Sequence, residues 1–224
     1  MCTVKTFGEN MCKIRFKKEK EFYHHGNLRY ALLTEAAQII ANDGLSGLSL
    51  RKLAKICGVS SMALYRHFSN KEALVIAVLE QGYELLQQKF NDIYQQHGDA
   101  DVIVTLKALG QGYFDFAREH RNFFHLIYGE NIFLSQYKEQ LNEQANSIFK
   151  FLKSILKKGM DGNKIMQQDL ESTAFAVWSY LHGITFLFLQ GKANKINAEV
   201  TPEHFINQLM DYMYLGLNQQ NKIN

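Results

Sequence analysis

The chain has 224 residues, 46% of them hydrophobic and 21% charged, with a single proline. That length and balance exclude a disordered polyelectrolyte and a small disulfide-stapled scaffold, and so little proline allows long helices. The net charge of +3 is unevenly placed: residues 1–80 hold 12 Lys/Arg against 7 Asp/Glu, residues 81–224 hold 13 against 15. A basic first third on a near-neutral body suits a polyanionic partner at one end.

The three cysteines, Cys2, Cys12 and Cys57, have no ligand spacing, so neither a zinc site nor a disulfide framework is expected. No metal or cofactor is implied. The N-terminus lacks the apolar core of a secretory signal. The longest apolar run, Ala174–Leu189, carries Ser179, His182 and Gly183 over 16 residues, too few for a membrane span of ~20. A buried helix, no membrane partner and a cytoplasmic location are expected.

In chain order, residues 1–22 read as a flexible arm, with Lys13, Arg15, Lys17, Lys18 and Lys20 near its end. A helical period then begins, with Leu28, Leu32, Ala36, Ile39 and Ile40 on one face and Gly44 placed to end it. Ser49 caps a short second helix whose apolar positions are Leu50, Leu53, Ala54 and Cys57. Gly58 closes it, and a third helix is expected over 61–68; two short helices joined at a glycine are the helix-turn-helix signature. Ser69 and Glu72 suggest a capping box for a fourth helix running to about residue 96. Further helices are expected over 100–119, 121–128, 135–158, 167–190 and 201–217, with a loop at "KKGMDGNK" and a polar loop before Thr201-Pro202-Glu203. No strand alternation is present, so the class is all-α, with about nine helices.

With Leu64 of the third helix set inward, Phe68 lies about 40° away and Met62 and Arg66 about 160° away. The outward face is short, mixed and partly basic, a size that fits a DNA major groove. In such motifs the N-terminal residues of the second helix meet base edges, which points to Ser60, Ser61, Met62 and Ala63, with Tyr65 and His67 at the rim. Lys71 sits in a first helical turn, where the helix dipole disfavours a cation unless an anion binds there.

The stretch "LTEAAQIIANDGLSGLSLRKLAKICGVSSMALYRHFSNKEAL" closely resembles the DNA-binding domain of TetR-family transcriptional regulators, and "FAVWSYLHGITFL" resembles the Trp…His-Gly segment of one C-terminal domain type in that family. The resemblance implies a helix-turn-helix head over 23–75 and a helical effector-binding and dimerisation domain over 76–224. It assigns DNA contacts to Ser49, Arg51, Ser61, Met62, Ala63, Tyr65, His67 and Lys71, and a minor-groove role to the arm; Ser60 and the outward-facing Arg66 join them from the helix geometry above. It also implies a cavity for a small apolar or aromatic effector. Trp178 and His182, four apart on one helix face, are the foremost wall candidates, followed by Phe114, Phe124 and Phe149; Asp115, Glu119 and Glu130 are candidates for meeting a cation. A homodimer through the last two helices is implied, with Phe186, Phe205, Leu209 and Met213 at its interface. Its two-fold symmetry calls for a roughly palindromic double-stranded operator with half-sites ~34–36 Å apart. The expected function is a repressor released by its effector; the alternative is a DNA-binding or nucleoid-associated protein with no effector. An enzyme is not expected, since no nucleophile–base pair, phosphate loop or metal pattern occurs. A redox sensor is disfavoured because Cys57 falls on an inward face.

Overall fold

The computed structural model describes residues 28–129, 137, 141–196 and 201–217; the side chains of Asn194, Ile196, Leu209 and 213–217 are outside the described set. The described residues are helical throughout their regular elements. We number the helices α1 Leu28–Gly47, α2 Leu50–Ile56, α3 Ser61–Tyr65, α4 Lys71–His97, α5 Val102–Glu119, α6 Arg121–Tyr128, α7 Asn142–Asp161, α8 Leu170–Leu189, α9 Lys192–Ile196 and α10 Pro202–Leu217. The chain divides into two compact units, one ending at Leu74 and the other beginning at Val75. The basic arm at 1–22 lies outside the described residues.

In the first unit, α1 buries Leu32, Leu33, Ala36, Ala37, Ile39 and Ile40. Its helical geometry breaks at Gly44, whose φ of 70° is one that side-chain-bearing residues rarely adopt. The stop expected at that glycine is therefore real, and the short turn beyond it carries the chain to Leu48, which is also buried. Leu53 and Ala54 of α2 and Leu64 of α3 complete this core.

In the second unit, α5 is the central helix. It packs against α6, α7, α8 and α10. Glycines set some of the close approaches: a Cβ at Gly82 would stand 3.0 Å from Ile127, and one at Gly110 would stand 3.3 Å from Ile206. Helix α7 runs on through "KKGMD", where a loop was expected. The reason is local: Gly159 is buried, and a Cβ there would lie 2.9 Å from Val102, so this glycine serves packing and not a turn. A short helix, α9, also occupies the expected polar loop. Asp101, Asp169 and Thr201 cap α5, α8 and α10 by accepting backbone N–H groups of Ile103, Ser172 and His204.

Helix α8 is long and apolar enough by length and composition to cross a membrane. Here its inner positions Ala174, Val177, Leu181, Ile184 and Thr185 pack against α5, α7 and α10. Its outer positions carry exposed Phe175, Tyr180 and Leu187.

Candidate nucleic-acid interface and cavity

The α2–α3 pair is fixed by its caps and its turn. Ser49 adopts an extended conformation and its hydroxyl accepts from the Lys52 N–H. Gly58, at φ 67°, ends α2: its N–H donates to the Lys55 carbonyl at 3.2 Å, and the Val59 N–H donates to the Ala54 carbonyl at 2.9 Å. This pairing is the Schellman motif, which needs a left-handed residue at the position of Gly58. Ser60 then caps α3, its hydroxyl accepting from the Ala63 N–H at 3.1 Å. Ser49 and Ser60 therefore each have a structural task beside any contact with DNA.

Helix α3 ends at Tyr65, earlier than expected, because the N–H groups of His67 and Phe68 both turn back to the Leu64 carbonyl. The orientation is as the periodicity required. Leu64 and Phe68 are buried, whereas Met62 is 73% exposed and Tyr65 48%. Arg51, Ser61, Arg66 and His67 are exposed too, and Ala63 is partly so. The Arg29 guanidinium lies over the Phe68 ring at 5.6 Å, closing the inner side. Two details differ from the sequence expectation. The cap of α4 is Asn70, whose side-chain oxygen accepts from the Ala73 N–H at 2.8 Å, one residue after the expected Ser69. Lys71 donates to the Leu45 carbonyl. That bond ties the start of α4 to the turn between α1 and α2 and leaves the ammonium two further protons. Cys57 is half-buried, and burial, with Glu35 adding, pushes its thiol up to about 11, so it is protonated at neutral pH.

The second unit holds a partly open cavity of about 370 Å³. Its wall includes Tyr83 and Phe90 of α4, Tyr113 of α5, Tyr128 of α6, Phe149 of α7 and Trp178 of α8. Of the expected wall residues, Trp178 and Phe149 border the cavity directly. His182 stands behind the wall, with Nδ1 2.6 Å from the Tyr113 hydroxyl and its ring tilted against Trp178 at 5.0 Å. Burial lowers the His182 pKa, so its ring is neutral and Nδ1 can accept the phenol proton. Phe114 turns away to Phe188 at 5.9 Å, and Phe124 is core, packed on Tyr113 and Phe186. Asp115 and Glu119 are held by Arg118 and by Lys89 respectively, which leaves neither as an evident partner for a cation; Glu130 lies outside the described residues.

Sequence reasoning missed Tyr83, Tyr113 and Tyr128 as wall residues. The available signal was a tyrosine amid apolar helix positions, since a buried phenol needs a polar partner. Phe186 turns inward to His182 at 4.7 Å, and Phe205 is 41% exposed. The side chains of Leu209 and Met213 lie outside the described residues.

Two family models match the chain: "Bacterial regulatory proteins, tetR family" over residues 32–78, and "Tetracyclin repressor-like, C-terminal domain" over 106–213. The chain belongs to the TetR family. It is thus a DNA-binding regulator and not an enzyme, and dimerisation and response to small ligands are typical of its family. Among relatives, YerO, an HTH-type transcriptional regulator of Bacillus subtilis, is 25% identical over 84% of this chain; the match spans 65% of YerO's length. The nucleoid occlusion factor SlmA of Vibrio cholerae is 26% identical over 63% of this chain and 70% of its own. Among solved structures, a Rhodococcus sp. RHA1 protein of unknown function aligns with a TM-score of 0.70 and 26% identity, covering 88% of this TetR-family chain and 99% of its own.

Proposed function

We propose that the protein is a ligand-responsive repressor that binds a roughly palindromic operator as a homodimer. The observation that carries the reading is the coexistence of two features. One is a capped α3 presenting a largely exposed methionine to solvent. The other is an apolar cavity within the α-helical body. An exposed Met62 has no packing task in its own chain, and a thymine methyl is a fitting partner for it. Ser60, Ser61 and Ala63 read bases beside it. Arg51 reaches a base edge or phosphate, and Ser49, Tyr65, Arg66, His67 and Lys71 hold the backbone.

Release follows from α4. This helix begins at Lys71 in the head and supplies Tyr83 and Phe90 to the cavity wall. A ligand pressing on those rings acts on the helix that carries the head. DNA affinity then falls by the ligand's differential affinity for the two head arrangements. The same reading puts the protein in the bacterial cytoplasm.

A second reading, a nucleoid-associated protein with no effector, is favoured by the likeness to SlmA. The test is fluorescence anisotropy on DNA from around the protein's own gene, with random DNA as competitor, at two salt concentrations. Binding of one dimer per inverted repeat that survives competitor and is relieved by an added small molecule supports the repressor. Competitor-resistant binding that no small molecule alters supports the second reading, and binding abolished by competitor opposes a specific operator at that locus.

A further inference from the structure

We infer that the cavity takes an electrically neutral ligand: a ring-rich apolar body carrying one hydrogen-bonding oxygen, with the oxygen at the Tyr128 hydroxyl and the body against Trp178. This rests on the reading of the cavity as a ligand site, and it adds the charge, the polar group and the anchoring residue.

Charge is decided by the wall. Among the described residues lining the cavity there is no Asp, Glu, Lys, Arg or His. The groups that could acquire charge do not. Burial raises the phenols of Tyr83, Tyr113 and Tyr128 above their usual range, with Tyr128 adding to the effect at Tyr113. His182, behind Tyr113, is kept neutral by the same cause. An ion entering this wall would lose its hydration and find no counter-charge.

The polar group is decided by which hydrogen-bonding atoms are spent. The Tyr113 hydroxyl is committed to His182 Nδ1 at 2.6 Å. Asn146 is exposed, so its amide is already hydrated. Tyr83 and Tyr128 both border the cavity, and no described group hydrogen-bonds either hydroxyl; of the two, Tyr128 is the one whose ring meets Trp178, at 6.5 Å. The Tyr128 ring is fixed by an edge contact with His182 at 5.2 Å and by Phe124 at 5.3 Å. The hydroxyl is therefore held in place, can donate and accept, and meets no competitor among the described residues. The Trp178 ring, between Phe175 and His182, offers a flat apolar surface on which rings pack better than a flexible chain.

The test titrates the full chain, free of DNA, with four probes of one shape: biphenyl, para-phenylbenzyl alcohol, para-phenylbenzoate and para-phenylbenzylammonium. Trp178 is the only tryptophan in the sequence, so quenching of its emission reports on the cavity wall; calorimetry gives the affinities independently. The alcohol is expected to bind ~3–10-fold more tightly than biphenyl, the worth of one hydrogen bond. Both ions are expected to bind at least ~100-fold more weakly than the alcohol. Tyr128→Phe should reduce the alcohol to the affinity of biphenyl. Either ion matching the alcohol overturns the inference, as does a Tyr128→Phe protein that keeps the alcohol's advantage, or binding of none of the four. Repeating the titration on operator-bound protein separates the two ideas. An alcohol that binds at Tyr128 and leaves DNA affinity unchanged upholds the inference and removes the effector role.

Discussion

Leu64 and Met62 sit two positions apart on α3, and the helix gives them opposite tasks. Leu64 is fully buried and closes the small core of the head, while Met62 stands largely in solvent. The two truncations should therefore separate stability from recognition. Leu64→Ala removes buried methyls and leaves a cavity, costing about 2–5 kcal/mol. That is a large share of what a small unit has, and thermal denaturation should show the head melting early. Met62 is 73% exposed, so Met62→Ala should change stability by less than about 0.5 kcal/mol. It should weaken operator binding by about 1–2 kcal/mol through lost apolar contact, with binding to random DNA unchanged. Anisotropy on operator and random duplexes reads the difference, and equal losses on both would assign Met62 a backbone role instead.

Between α2 and α3, register depends on one residue. Gly58 carries the left-handed conformation that lets Val59 and Gly58 satisfy the last carbonyls of α2. No neighbouring atom would meet a Cβ there, so the only penalty for a side chain is conformational. Gly58→Ala should cost about 1–2 kcal/mol, read as a lowered melting temperature of the head. Because the bend sets where α3 points, operator affinity should fall by more than the stability loss alone predicts, in anisotropy at a temperature where the variant is folded. This element was legible in the sequence because glycine at a helix end is a local signal, as was the inward side of α3. The cap of α4 was misplaced by one residue because Ser69 and Asn70 are equally good caps by type. The cavity wall was legible only in part. Periodicity separates inward from outward but does not say which inward positions face a void. Tyr113 and Phe114 are adjacent and both buried, yet only Tyr113 borders the cavity. That distinction is made by how α4, α7 and α8 pack on α5, through contacts distant in sequence. The helical Gly159 was misread for the same reason, since its use is a close approach to Val102.

At the scale of the molecule, the outer face of α8 needs an explanation that one chain does not provide. Tyr180 is 54% exposed and Leu187 43%, and Gly183 lies between them with open space where a Cβ would stand. A glycine inside a helix is destabilising by about 1 kcal/mol relative to alanine, and nothing among the described residues requires this one. A second copy of α8 crossing at Gly183 would use all three: the glycine for close approach, Tyr180 and Leu187 for buried area. Exposed Phe205 and Tyr212 on α10, which packs beside α8, extend the same face. Two-fold pairing through this face would couple two heads, so the second half-site is bound at the effective concentration set by the first. Tyr180→Glu places a charge in the middle of this face without touching the core of the protomer. Sedimentation should show a folded monomer, with helical content by circular dichroism unchanged. Operator affinity should fall at least ~100-fold, while a duplex carrying a single half-site loses far less, because only the coupling between heads is gone. A Tyr180→Glu protein that remains dimeric would move the interface off this face of α8.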